Sequence, residues 1–187
     1  MTARSAAKPD KKPVDLFVHV GMADGWDYIS IERAAYKQGF SSSWWGPREF
    51  MLGYYMIPDN LGKTVLSTGP CPWASTPMGL MTSFEVDSLV KGANKRLQGS
   101  RDTGIAPMQG PSHKNISVAA HAEPGSYLCG FLYYESLANC RVRGRNADVL
   151  FCHVPGYQDD ASLAQGRDAL LAIIEEAVVQ LTTGQGD

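Results

Sequence analysis

The stretch DVLFCHVPG, residues 148–156, decides the fold. Asp148 opens an almost unbroken apolar run, and Pro155–Gly156 closes it. A run this short, rich in β-branched and aromatic residues and bounded by turn formers, predicts a strand. Because both alternating faces are apolar, it suits the middle of a sheet covered on either side. Two further runs have the same character: VDLFVHV (14–20), ending at Gly21, and ISVAA (116–120). Helical patterns lie between and after them. Val86, Leu89, Val90, Ala93 and Leu97 recur at helical spacing, and Thr82 and Glu85 ahead of them fit a capping box. Residues 129–137 are apolar nearly all round, which predicts a buried helix. A last helix, about 162–181, places Leu163, Leu170, Ile173, Ile174, Ala177, Val178 and Leu181 on one face. Asp159 and Asp160 precede it, where N-terminal amides favour negative charge. Strands alternating with helices predict an α/β sandwich with a mainly parallel sheet.

The 187 residues suffice for one domain with a proper core. A net charge of −2 argues against a dedicated nucleic-acid binder. The basic clusters, Lys8, Lys11 and Lys12 and then Arg141, Arg143 and Arg145, read as a solvated tail and loop. No run of about 18 apolar residues exists, so no membrane span is expected. MTARSAAKPDKKP lacks the apolar stretch of a signal peptide and reads as a disordered arm over 1–13. A cytoplasmic location follows, and there Cys71, Cys129, Cys140 and Cys152 are expected as free thiols. Residues 183–187 are expected as a flexible tail. Two stretches resist assignment: 41–77, which carries Trp44, Trp45, Tyr54, Tyr55 and Trp73, and the glycine-rich 98–111. The first is either a satellite core under a long loop or a pocket wall.

The candidate chemistry begins at AEPGSYLCGFLYYESL, residues 122–137. The Glu123–Pro124–Gly125 turn places Cys129 within about one turn of a helix start. Unpaired amides there lower a thiol pKa and can hold an oxyanion. Cysteine is also a common buried filler, so position alone leaves both readings open. His153 ends the strand of 148–154, near the edge where open parallel sheets collect ligands. One helix and one crossover strand separate it from Cys129. It is either a base for that thiol or a strand-end histidine bonded to backbone. Glu32, in DYISIERAAY, is the candidate to orient the imidazole. Its apolar neighbours predict partial burial; the competing reading is a surface pair with Arg33. His19 is expected in the core, His113 in a loop and His121 after a strand. Cys152 alternates away from His153 and should face the opposite side. No Cys/His spacing fits zinc, and no glycine motif fits a phosphate.

At ISIERAA, PGSYLCGFLYYESL and VLFCHVP the chain resembles the pyroglutamyl peptidase I family, the C15 cysteine peptidases. The resemblance spans roughly residues 14–181. It implies a three-layer α/β/α sandwich, phosphorylase/hydrolase-like, as a single domain over 14–182. It implies removal of an N-terminal pyroglutamyl residue from a peptide or small amide substrate, without cofactor or metal. Cys129 would be the nucleophile, His153 the general base and acid, and Glu32 the residue orienting His153. The family's TGFxPFG-type turn has no counterpart here, so the chain is expected to lack the N-terminal part of the family domain. A sheet edge left open would be covered by the aromatic segment or by another subunit, which makes a homo-oligomer one expected arrangement. The alternatives are a relative with altered substrate or reaction on the same Cys–His pair, and a non-catalytic relative.

Overall fold

A computed structural model describes residues 15–37, 58–64, 73, 75–102, 116–122, 124–125 and 127–183. Trp44, Trp45, Tyr54, Tyr55, Cys71, His113, Glu123 and the expected arm over 1–13 lie outside the described residues. So do 103–115, most of the second unassigned stretch.

Among the described residues six strands and three helices follow in the order β1 (Phe17–Ala23), β2 (Ile29–Glu32), β3 (Ala34–Tyr36), β4 (Gly79–Met81), α1 (Val86–Asp102), β5 (Val118–His121), α2 (Leu128–Val142), β6 (Val149–Pro155) and α3 (Asp160–Thr183). The main sheet runs β1-β6-β2-β5, and β3 pairs with β4 in a small antiparallel sheet. The β1–β6 and β2–β5 pairings are parallel, whereas β6 and β2 are antiparallel, so the sheet is mainly parallel. Alternation along the strands builds two cores. On one face Ile29, Ile31, Val118, Leu150 and Cys152 pack with Leu89 and Ala93 of α1 and Ala169, Ile173 and Ala177 of α3. On the other, Val149 and Phe151 pack with Tyr133, Tyr134, Leu137 and Ala138 of α2. Helices on both faces give the three expected layers.

Several expectations are corrected. The 14–20 run is not a central strand. Among the described residues it becomes β1 at one end of the sheet, pairing only with β6, and Val20 and Met22 stand exposed. His19 is accordingly half-buried rather than core, with Nε2 2.8 Å from Ser136 Oγ. No capping box forms before α1. The Thr82 hydroxyl donates instead to the Val149 carbonyl at 2.7 Å, and Gln180 holds the Glu85 backbone. The helix continues to Asp102, into the stretch read as loop. Helix α2 buries one face only, leaving Leu128 and Leu132 exposed. Helix α3 buries Ile173 and Ala177 but exposes Leu163 and Val178, and it runs through Thr183. Asp159 does cap it, accepting from the Ser162 amide at 2.9 Å. His121 ends β5 rather than following it, and Pro155 is the last residue of β6.

Candidate active site

Glu32 is the anchor. It ends β2 with no exposed surface, an expensive place for a carboxylate unless its oxygens are bonded. They are. Oε1 accepts from the Ser30 hydroxyl and lies 2.9 Å from His153 Nδ1; Oε2 lies 2.8 Å from His121 Nδ1. The Glu32 backbone carbonyl takes the Tyr133 hydroxyl at 3.0 Å. Burial alone would raise the carboxyl pKa. The bonds from His121, His153 and Ser30, with the charge of His121, outweigh it and hold the group below its ordinary value. The competing surface pair with Arg33 does not form; Arg33 reaches the exposed Asp87 instead.

Sheet register explains how these groups meet. Ser30 and Glu32 sit two apart on one face of β2. Ser30 lies opposite His153 of β6, and Glu32 lies beside His121 of β5. Because β2 and β6 run antiparallel, Glu32 reaches His153 diagonally across the sheet. The meeting is not at a shared C-terminal edge, as a wholly parallel sheet would require. Nor is the β5–α2–β6 segment a parallel crossover, since β2 stands between those strands and β5 runs against β6.

Cys129 is the second residue of α2, and it approaches the same face. Gly21 of β1 reports the approach. A Cβ added there would lie 3.1 Å from Cys129 Sγ, 3.1 Å from His153 Cδ2 and 3.0 Å from Phe151 Cε1. Thiol and imidazole therefore border one small space above a residue with no side chain. Cδ2 lies on the edge of His153 turned away from Nδ1 and Glu32, and that edge borders the space. Trp26 adds an aromatic wall, its ring edge-on to His121 at 5.1 Å and to His153 at 5.8 Å. The structure thus brings Glu32, His153 and Cys129 together on the α2 face. Cys152 points into the opposite core, where burial pushes its thiol up to about 12.

The electrostatics of Cys129 differ from expectation. Burial, then the Glu32 charge, push the thiol above its ordinary value, and its backbone hydrogen bond offsets this only in part. The helix start alone does not prepare a thiolate. Tyr127, at the N-cap, makes no side-chain cap bond to α2. Among the described residues, no group of three or more His, Cys, Asp or Glu side chains is arranged to hold a metal ion. No helix of these residues is long and apolar enough to cross a membrane. Sequence reasoning missed His121, Ser30 and Gly21. His121 reaches the site through the pairing of β5 with β2, which no sequence signal gives.

No family model matches the chain. In sequence it is similar to pyroglutamyl-peptidase 1 of Rattus norvegicus, 42% identical over 73 residues, which is 39% of this chain and 32% of the relative. The Mus musculus protein of the same name is 41% identical over 73 residues, with the same coverage. The match thus spans about a third of these curated relatives. In structure the chain is similar to pyrrolidone carboxyl peptidase from Pyrococcus furiosus, with a TM-score of 0.58 at 22% identity over 89% of this chain and 70% of that one. The pyrrolidone carboxyl peptidase from Thermococcus litoralis gives a TM-score of 0.56 at 18% identity, over 89% and 67%. The chain's resemblance to pyroglutamyl peptidases is borne out by these partial sequence matches, and the shared α/β fold by the structural ones.

Proposed function

We propose that the chain is a cysteine-type omega-peptidase that hydrolyses the amide bond after an N-terminal pyroglutamyl residue. One observation carries the reading: the Cys129 sulfur and the far edge of His153 border the same space above Gly21, while Glu32 holds Nδ1. The curated relatives, named pyroglutamyl-peptidase 1, supply the substrate class.

The chemistry follows from the atoms. Cys129 is held as a thiol by burial, so it needs a base at the moment of attack. His153 Nε2 takes the proton as sulfur bonds to the pyroglutamyl carbonyl carbon. The imidazolium that forms is stabilised by Glu32, which also fixes the tautomer through Nδ1. Amides at the start of α2 receive the charge developing on the carbonyl oxygen. The C–N bond breaks as His153 returns its proton to the leaving amine. Water, deprotonated by the same imidazole, then splits the thioester and restores the thiol. A thiol nucleophile is kept reduced in the cytosol, where we place the protein.

The test is release of a fluorophore from a pyroglutamyl amide by the purified chain. Turnover is expected, lost in Cys129→Ala and in His153→Ala. Iodoacetamide should label Cys129 at neutral pH, and His153→Ala should slow the labelling. An inert wild type with a fast-labelling Cys129 would overturn the substrate; an inert Cys129 would overturn the catalytic reading altogether.

A further inference from the structure

We propose that His121 is a positioning residue of this site, holding Glu32 so that Glu32 can hold His153. The proposal rests on the peptidase reading for its substrate, but its geometry stands apart from it. The Glu32 carboxylate has two oxygens with different duties. Oε1 takes both the Ser30 hydroxyl and His153 Nδ1, while Oε2 faces His121 Nδ1 at 2.8 Å. A carboxylate held at one oxygen can rotate about its last torsion, which is soft. Held at both, its plane is set, and with it the direction in which Oε1 meets His153.

His121 is itself well fixed. It ends β5 in register with Glu32, and its backbone carbonyl accepts from the Arg33 amide at 2.9 Å. Trp26 contacts both imidazoles edge-on, so one aromatic ring braces the two histidines that flank the carboxylate. His121 is 39% exposed while Glu32 has no exposed side-chain surface, so the histidine also closes the carboxylate off from water at the rim. The chain is therefore His121–Glu32–His153, and the His153 ring borders the sulfur's space.

The arrangement makes an atom-specific demand. Asparagine places its amide nitrogen near the position of Nδ1, whereas glutamine places its amide near Nε2. The experiment compares wild type, His121→Ala, His121→Asn and His121→Gln by two readouts. One is kcat and KM on a pyroglutamyl amide; the other is the iodoacetamide rate at Cys129, which needs no substrate. His121→Ala should lower kcat roughly ten- to hundredfold, the size of a small misplacement of a catalytic group, with KM within about twofold. Labelling should slow in parallel. Asn should restore both to within about threefold, and Gln should not. If His121→Ala does not fold, the Asn and Gln variants carry the comparison. Equal rates for Asn and Gln, or an unchanged alanine variant, would overturn the proposal. If wild type does not turn over the pyroglutamyl amide, the substrate reading fails; the labelling series still decides the role of His121.

Discussion

A single residue, Glu32, couples stability to chemistry. It is fully buried, yet its carboxyl stays below the ordinary value of 4.5 because burial is outweighed by three hydrogen bonds. The sign of the linkage follows. As pH falls below 4.5, the unfolded chain binds a proton at this position before the native one does. The stabilisation is therefore fully present above that value and is lost as pH drops through the lower native one. Urea midpoints measured from pH 7 down to pH 3 should show this fall. In Glu32→Gln that part of the slope should vanish. The variant should also lose about 1–3 kcal/mol at pH 7, since the amide cannot accept from both histidines and Ser30. Turnover should fall roughly a hundred- to ten-thousandfold through the imidazole tautomer. Glu32 was legible as a candidate from its apolar neighbours. Its second histidine was not, because the string gives no cue that VAAH and ISIE lie side by side.

At the scale of elements, the space beside the thiol is a meeting of three: β1, β6 and the start of α2, with Glu32 of β2 holding His153 from behind. Gly21 is where β1 leaves room for the other two. An added methyl there would stand 3.0–3.1 Å from Phe151, Cys129 and His153, closer than ordinary contact, so one of them must yield. Gly21→Ala is expected to displace the thiol or the ring and lower kcat at least tenfold. The same substitution should cost about 1–3 kcal/mol of stability. Steady-state kinetics beside a urea titration separates the two effects, and unchanged kcat would show that the space above Gly21 is not the reacting space. The elements were mostly legible. Residues 148–154, 116–120 and 162–181 were read within a few positions, because apolar runs and helical periodicity are local signals. The capping box failed because Thr82 found a better partner in the Val149 carbonyl, a tertiary bond no local motif encodes. The mainly parallel sheet was legible, but the crossover read between Cys129 and His153 failed for a like reason. The antiparallel pairing of β2 with β6 depends on the route of the whole chain.

At the scale of the molecule, the two cores divide the work. The face bearing α1 and α3 holds Leu89, Ala93, Ile173 and Ala177 and, among the described residues, contributes no side chain to the site. The face bearing α2 holds Phe151 and Tyr133, whose ring and hydroxyl touch the site directly. Burial on both faces was readable from apolar strands, and so was the split between Cys152 and His153, neighbours in sequence that alternate to opposite faces. This division makes stability and catalysis separable. Leu89 is fully buried between α1 and the sheet, and Leu89→Ala should destabilise the fold by about 2–5 kcal/mol through lost burial and a cavity. Per folded molecule, kcat and the Cys129 labelling rate should stay within about twofold, because the sheet that separates the cores is hydrogen-bonded and packed on its other side. Phe151→Leu on the α2 face should do the reverse, costing less stability as a smaller volume change while loosening the contact that borders the space above Gly21. The paired measurement is a denaturant midpoint and an active-site titration for each variant. A Leu89→Ala protein that folds but labels Cys129 much more slowly would mean that the two cores are mechanically one, and that the site depends on the packing of the entire sandwich.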